Sequence, residues 1–255
     1  MAMVGQAVKQ CGGHFWVAKH SLPFDEAKIE QEKCLVERAQ RIVTVSEKEA
    51  AFFSQVGVPV EVLVHSVDAT PTPRSFAERY GFIFIGPIVN DQTPNADALR
   101  YLLSEVWPKI RAALPNATLQ VIGTNDLLES FQSLCAGGVE FLGRISEHAL
   151  FDCADRARVH IVPTRFNAGV PLKAMTLAAL GLPMVTTRMI QEQLGWTRGE
   201  LVPADWQDAG HFGEACVRLH EDPTLWMSVR EQSLAAVSQL ADPAKFRADL
   251  AKITD

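Results

Sequence analysis

The sequence predicts an α/β protein built on a doubly wound parallel sheet, and three observations support this prediction. Short β-branched runs alternate with Ala- and Leu-rich amphipathic segments from Tyr80 onward. Several of these runs end in glycine, at Gly86, Gly123 and Gly143, as strands followed by ligand loops do. The stretch 159–187 has the pattern strand, loop, helix, strand. Such a βαβ unit has a right-handed crossover and parallel strands.

Each predicted strand is a short run of β-branched and other apolar residues bounded by Gly, Pro or polar residues. The strands are predicted at 41–45, 60–64, 82–85, 118–122, 139–142, 159–162, 184–187 and 200–202. The last of these is the weakest pattern, since it is only three residues long.

The predicted helices have apolar residues three and four positions apart, with capping residues at their starts. They are placed at 25–40, 46–55, 97–114, 126–134, 146–156, 171–180, 209–220, 224–240 and 243–253. Ser46 and Glu49 form a capping box, and Gly57 with Pro59 ends that helix. Pro108 should kink the helix 97–114 because proline has no N–H for the helical ladder.

A proline-rich segment, Thr70 to Pro73, predicts a stiff extended linker and the main domain boundary. About 65 residues precede it, which is too few for a complete domain of the usual size. We therefore expect a partial N-terminal segment at 1–68 and a sheet domain at 69–222. The helices of 223–255 are expected to pack back on the N-terminal part.

Composition and charge exclude several classes of protein. The net charge is −6 and charges of both signs are mixed along the chain, which disfavours nucleic acid as a partner. No apolar run approaches the roughly 20 residues that span a bilayer. The first fifteen residues lack the charged start and apolar core of a secretion signal. We therefore expect a cytoplasmic protein whose five scattered cysteines are reduced.

Motifs of other α/β enzymes are absent from the sequence. It contains no Gly-x-Gly-x-x-Gly, no Walker loop and no His-Glu-x-x-His. No metal site is therefore expected. His160 lies within a predicted strand and is interpreted as a satisfied core residue.

The loop and helix that follow the strand 159–162 predict an anion site. Gly169 would let the backbone approach a ligand closely, and Pro171 suits the first helical position. The free amides and positive dipole of a helix start favour phosphate. Lys173 lies in the first turn with Thr176 on the same face. Arg165, in the preceding loop, could bind a phosphate or be a solvated loop residue.

Seven residues give this stretch a resemblance to a known family: Gly169, Lys173, Ala178, Ala179, Gly181, Pro183 and Val185. Their pattern resembles the donor-binding core of the retaining family 4 glycosyltransferases, which have the GT-B fold of two facing Rossmann-like domains. The segment 41–46 is similar to a strand near the end of that family's N-terminal domain. The resemblance implies the C-terminal half of a GT-B fold with a truncated, acceptor-side N-terminal portion.

The activity that the resemblance implies is sugar transfer from a UDP, GDP or ADP sugar to a glycan, lipid or protein acceptor. It implies retention of configuration, no metal and no tightly bound cofactor. Lys173 and Arg165 would be catalytic. The donor-binding residues would be Gly86, Pro87, Gly123, Arg144, Ile145, Gly169, Val170, Lys173 and Thr176, with 143–145 holding the base and 86–87 lying beside the diphosphate.

The sequence also departs from the family pattern. The family's paired glutamates fall on Ala168 and Thr176, and the second is the one implied to hold the ribose hydroxyls. At Gly86 and Pro87 the commoner members carry an arginine. The alternative is therefore a non-catalytic nucleotide-sugar-binding module, or one that depends on a partner chain or on a missing N-terminal domain.

Overall fold

A computed structural model describes residues 15–17, 41–44, 50–51, 53–63, 67–166, 171–240 and 243–254. The predicted helix 25–40 and the Ser46 capping box lie outside the described residues. Contacts divide the chain into two compact units. The smaller comprises 1–66, 167–170 and 240–255, and the larger comprises 67–166 and 171–239.

The smaller unit contains a parallel three-stranded sheet in the order β1-β2-β3. Its strands are β1 (Phe15–Val17), β2 (Arg41–Thr44) and β3 (Val60–Val62), and a 3-10 turn at Ser54–Val56 precedes β3. Gly57 ends that turn in the left-handed conformation, with φ 77°. Val43, Leu63 and Ile253 form the buried apolar cluster of this unit. Ile253 belongs to the C-terminal helix Pro243–Thr254, so this helix packs beside β2.

The larger unit is built on a six-stranded, entirely parallel sheet in the order β6-β5-β4-β7-β8-β9. The strands are β4 (Phe82–Ile85), β5 (Leu119–Ile122), β6 (Val139–Gly143), β7 (Val159–Val162), β8 (Met184–Thr187) and β9 (Val202–Ala204). The strand order reverses between β4 and β7. In a doubly wound sheet the ligand crevice lies at this reversal, outside the carboxyl ends of the strands.

Eight α-helices of the described residues belong to this unit. They are α1 (Pro94–Tyr101), α2 (Trp107–Ala113), α3 (Leu128–Gln132), α4 (Glu147–Arg156), α5 (Leu172–Ala179), α6 (Arg188–Leu194), α7 (Ala209–Glu221) and α8 (Pro223–Leu240). Phe82 and Phe84 of β4 lie in one apolar cluster and Ile83 lies in another. Both faces of the central strand are therefore buried, which confirms the predicted Rossmann-like doubly wound sheet.

The predicted helix 97–114 is interrupted before Pro108. It begins earlier, at Pro94, where the Thr93 hydroxyl accepts a hydrogen bond from the Ala96 N–H at 3.3 Å. A π-helical turn, Leu102–Val106, then separates α1 from α2, and the Trp107 N–H bonds to the Leu102 carbonyl. Pro108 has no N–H, so the α-helical ladder cannot continue across it, and the wider turn changes the bonding pattern before the proline.

The proline-rich segment 70–73 is hydrogen-bonded to the end of α5. Thr70 N–H donates to the Ala179 carbonyl at 2.9 Å, and Thr72 N–H donates to the Leu180 carbonyl at 3.0 Å. The buried Arg79 guanidinium donates to the Thr72 hydroxyl at 2.6 Å. The linker is therefore part of the larger unit. So is the first half of α8, whose Trp226 lies in the core of that unit.

Candidate functional site

The loops after β4 and β7 meet at the reversal of strand order, and two polar pairs join the elements that follow these strands. Lys173 of α5 is bonded to Asn95 of α1. Arg165, in the loop after β7, is paired with Asp97 of α1. The first turn of α1 therefore contacts both cations that the sequence predicts as catalytic.

Lys173 is a half-buried cation held by a neutral group. Its Nζ donates to Asn95 Oδ1 at 2.7 Å, and Asn95 Nδ2 donates to the Pro87 carbonyl at 2.7 Å. Loss of solvation lowers the pKa of Lys173 to about 8. Within the described ranges, Lys173 forms an ion pair with no carboxylate. The site therefore contains a partly desolvated positive charge that an anion could compensate.

His160 of β7 is 1% exposed, and the positive charge of Lys173 lies close enough to affect its pKa. Burial, and then repulsion from Lys173, lowers the pKa of His160 to about 3, so the imidazole is neutral. Its Nδ1 has no hydrogen-bond partner among the residues that the structure describes. The prediction of a core histidine is confirmed. Strand periodicity places a side chain on a face without showing its partners.

Arg165 is engaged by a carboxylate. Its Nε and Nη2 donate to Asp97 at 2.9 and 2.5 Å, and the hydrogen bond to Asp97 raises the pKa of Arg165. The rings of Tyr101 and Trp206 lie 5.1 and 5.4 Å from the guanidinium carbon. Nη1 of Arg165 takes no part in this bidentate pair. Arg165 is therefore neither a solvated loop residue nor a cation free of counterions.

The glycines after β4 and β5 are required by packing. Gly123 has φ +132°, and a Cβ there would lie 2.5 Å from the Gly86 carbonyl oxygen. A Cβ on Gly86 would lie 2.9 Å from Asn95 Cγ. The two loops are further joined by a 2.7 Å bond from the Ile88 N–H to the Thr124 carbonyl. Gly86, Pro87 and Gly123 thus form one tightly packed wall beside Asn95.

The residues predicted to hold a base follow β6, two strands away from β4. Gly143 has φ +64°, Arg144 is exposed and Ile145 is half-buried against the cluster of α4 and β5. Ser146 caps α4 by accepting from the Ala149 N–H at 3.2 Å, as predicted. These residues lie at the carboxyl end of the sheet, but they do not belong to the Lys173 cluster.

The start of α5 differs from the prediction. Pro171 occupies the N-cap, with ψ 79°, and the helix begins at Leu172. The Thr176 hydroxyl donates to the Leu172 carbonyl at 2.9 Å, so its proton is not available for a hydrogen bond to a ligand. Gly169 and Val170 lie outside the described residues, and their predicted contacts stay predictions.

The described part of the chain shows neither a metal-ligand cluster nor a helix that could span a membrane. There, His, Cys, Asp and Glu side chains nowhere gather in a group of three or more that could hold a metal ion. None of the described helices combines the length and apolar character that crossing a bilayer requires.

Residues 79–222 match the family model of the glycosyl transferases group 1, which is more than half of the chain. The chain belongs to this family. The match covers the six-stranded sheet and both polar pairs, and it ends where α8 begins. No curated protein sequence matches the chain significantly.

Solved structures support the same fold at low sequence identity. A mutant of TarM from S. aureus, in complex with Fondaparinux, alpha-GlcNAc-glycerol and UDP, matches with a TM-score of 0.77 and 10% identity over 94% of this chain. Sucrose-phosphate synthase from Thermosynechococcus elongatus gives 0.76 and 17% over 98%. Anabaena HepE with UDP and glucose gives 0.76 and 12% over 94%. The chain spans half the length of TarM and 70% of the other two.

The sequence patterns do not single out Asn95, and they place Asp97 only within a helix. A signal was present: two polar residues lie in the first turn of the helix that follows β4 and Gly86. The first turn of the helix after such a strand faces the ligand crevice when the strand lies at the point where the strand order reverses. The order of strands in space is needed to know this, and it is not written in the order along the chain.

Proposed function

We propose that this family member is a retaining, metal-independent family 4 glycosyltransferase whose larger unit binds the donor. It would move a sugar from a nucleotide-sugar donor to an acceptor that is a glycan, a lipid or a protein. The observation that carries the proposal is Lys173, a partly desolvated cation at the crevice that is bonded to an amide and not to a carboxylate.

The proposed chemistry is electrostatic stabilisation of the departing diphosphate. Negative charge develops on the diphosphate as the bond to the sugar breaks, and a preorganised cation lowers the energy of that state. Lys173 supplies the cation, and the first amides of α5 add the positive end of the helix dipole. Arg165 would contribute through Nη1, since Nε and Nη2 are bonded to Asp97.

The remaining donor contacts are proposed from the sequence. Gly86, Pro87 and Gly123 form the wall beside the diphosphate, Gly169 and Val170 supply backbone contacts, and Thr176 faces the ribose. Arg144 and Ile145 hold the base from the loop after β6. No tightly bound cofactor is proposed, and neither is nucleic acid as a partner. Cytoplasmic localisation stays a prediction.

The second candidate is a nucleotide-sugar-binding module without turnover, or one completed by a partner chain. Thr176 favours this candidate because a hydroxyl replaces the acidic group and its proton bonds to Leu172. A hydrogen bond to a charged group contributes about 1.5 to 3 kcal/mol, so its loss would weaken donor binding.

Calorimetry with UDP, GDP and ADP tests both candidates. UDP is the first ligand to try, because it is present in the TarM and HepE structures. We expect Lys173→Ala to weaken binding at least about tenfold, since it removes a charge-assisted hydrogen bond. Lys109→Ala, on the exposed face of α2, is the matched control and should leave the affinity unchanged.

Three outcomes separate the candidates. Absence of binding for all three nucleotides at millimolar concentration, or equal affinity of Lys173→Ala and the parent, contradicts the proposed site. Binding together with hydrolysis of the UDP-sugar, lost in Lys173→Ala, supports the transferase. Binding without turnover, also in the presence of a panel of acceptors, supports the module.

The affinity for UDP should depend on pH through Lys173. Its pKa is lowered to about 8, so the free site loses its cation as the pH rises through that value. UDP keeps its charge there, because the second phosphate pKa is about 6. We expect the affinity to fall by up to about tenfold per pH unit above 8. The Lys173→Ala variant should show a flat profile between pH 7 and 8.5, and a flat profile in the parent over this range would show that Lys173 does not bind the phosphates.

A further inference from the structure

Asn95 joins the two loops of the crevice through a single side chain. Its Oδ1 accepts from Lys173 of α5, and its Nδ2 donates to the Pro87 carbonyl in the loop after β4. Both bonds are 2.7 Å long. A flipped amide would place NH₂ against an ammonium and oxygen against a carbonyl oxygen. The two bonds therefore fix one orientation of the amide.

Gly86 makes room for this arrangement. A Cβ on Gly86 would lie within 3.1 Å of Asn95 Cγ, Oδ1 and Cβ, so any other residue at 86 would displace the amide. The N-terminal turn of α1 is itself fixed by the Thr93 cap, which bonds the Ala96 N–H. Lys173 is thus held by a side chain that has little freedom of its own.

The two cations of the crevice have partners of different charge. Asp97 is a carboxylate and compensates the charge of Arg165 through two hydrogen bonds. Asn95, two positions earlier, is neutral and bonds Lys173 without compensating it. An acidic residue at 95 could make the same contact and would also satisfy the positive end of α1. It would, however, compete with an anionic ligand for the ammonium.

We propose that Asn95 is a positioning residue, which holds the Lys173 ammonium at the crevice while leaving its charge available to the diphosphate of the donor. This role rests on the proposed function, because a neutral partner for Lys173 is an advantage only if an anion binds to the ammonium. Asn95 itself acts through Lys173. Asn95 therefore leaves the charge of Lys173 available to the ligand, whereas Asp97 compensates the charge of Arg165 within the protein.

The test replaces Asn95 by aspartate and measures UDP binding by calorimetry. In Asn95→Asp the carboxylate should pair with Lys173, and we expect the affinity for UDP to fall about tenfold or more, the scale of one charged hydrogen bond. The carboxylate gains the favourable first turn of α1 but loses the hydrogen bond to the Pro87 carbonyl, so the midpoint of thermal unfolding should fall no further than in Asn95→Ala, which loses the same bond. Asn90→Asp is the matched control. Asn90 is exposed, and its Oδ1 accepts from the Gln92 N–H at 3.0 Å, which an aspartate can also do.

Asn90→Asp should change the affinity by less than about twofold, because screened surface charges contribute little. Equal losses in Asn90→Asp and Asn95→Asp would show a general charge effect and overturn the proposal. Parent-like affinity in Asn95→Asp would overturn it as well. Asn95→Ala removes both hydrogen bonds without adding charge. It should weaken UDP binding and leave a folded circular-dichroism spectrum.

A second readout needs no nucleotide. The lysine side-chain carbon resonance that disappears in Lys173→Ala reports the titration of Lys173, and it should titrate at higher pH in Asn95→Asp than in the parent, because an ion pair favours the ammonium. An unchanged titration overturns the role of Asn95. This outcome is distinct from failure of the proposed function, in which the parent binds no nucleotide or Lys173→Ala binds as well as the parent.

Discussion

Gly123→Ala should lower the free energy of unfolding of the larger unit by about 4 kcal/mol, combining backbone strain and overpacking that each reach about 1 to 3 kcal/mol. Gly123 has φ +132°, which a residue with a side chain rarely adopts. Its added methyl would also lie 2.5 Å from the Gly86 oxygen and 2.9 Å from the Pro87 nitrogen. Both of these are backbone atoms, so a change of rotamer cannot relieve the contact.

Gly143→Ala is the matched control for this prediction. Gly143 also ends a strand and has φ +64°, but a Cβ there would meet no atom within 4 Å. We expect a loss of only about 1 kcal/mol, from the left-handed conformation alone. Urea unfolding of the two variants measures the difference. Equal losses would mean that the loops after β4 and β5 can separate freely, contrary to the packed wall described above.

Acid should destabilise the protein through His160. Its pKa is about 6.5 in an unfolded chain and about 3 in the folded protein. Because the folded pKa is the lower one, the contribution of the neutral imidazole to stability is complete above pH 6.5. It is lost progressively as the pH falls toward 3. At pH 4.5, two units below the unfolded pKa, the loss is about 2.7 kcal/mol.

His160→Leu should remove this part of the pH dependence. The parent and the variant share all their carboxylates, so the difference between their unfolding free energies isolates the histidine. It should change by about 2.7 kcal/mol between pH 7 and pH 4.5. His148→Gln, at a side chain that is 88% exposed, is the control for replacing a surface histidine. A constant difference between His160→Leu and the parent would mean that the imidazole becomes protonated without unfolding.

The sheet was predictable because its strands carry their own signals. The runs at 82–85, 159–162 and 184–187 are short and rich in β-branched and apolar residues, as buried parallel strands are, and the structure gives the same bounds. The boundary between α1 and α2 was not predictable in detail. A proline shows that the helical hydrogen-bond pattern must be broken, but it does not show that the preceding turn becomes π-helical.

The candidate site was predicted only in part, for a physical reason. Lys173 could be found because a cation in the first turn after a Gly-containing loop has a recognisable chemistry. Its partner Asn95 is 78 positions away in the chain, and only the pairing of β4 with β7 brings the following helices together. The state of Arg165 depends in the same way on Asp97, 68 positions away.

The hydrogen bonds from Thr70 and Thr72 to the last carbonyls of α5 have a practical consequence for dissecting this protein. A shortened version that starts after Pro73 would expose the carboxyl end of α5 and remove a partner of Arg79. One that starts at Asp68 would keep these bonds. A proteolytic cut ahead of Thr70 should therefore leave the larger unit folded, whereas a cut after Thr72 should loosen the helix that carries Lys173.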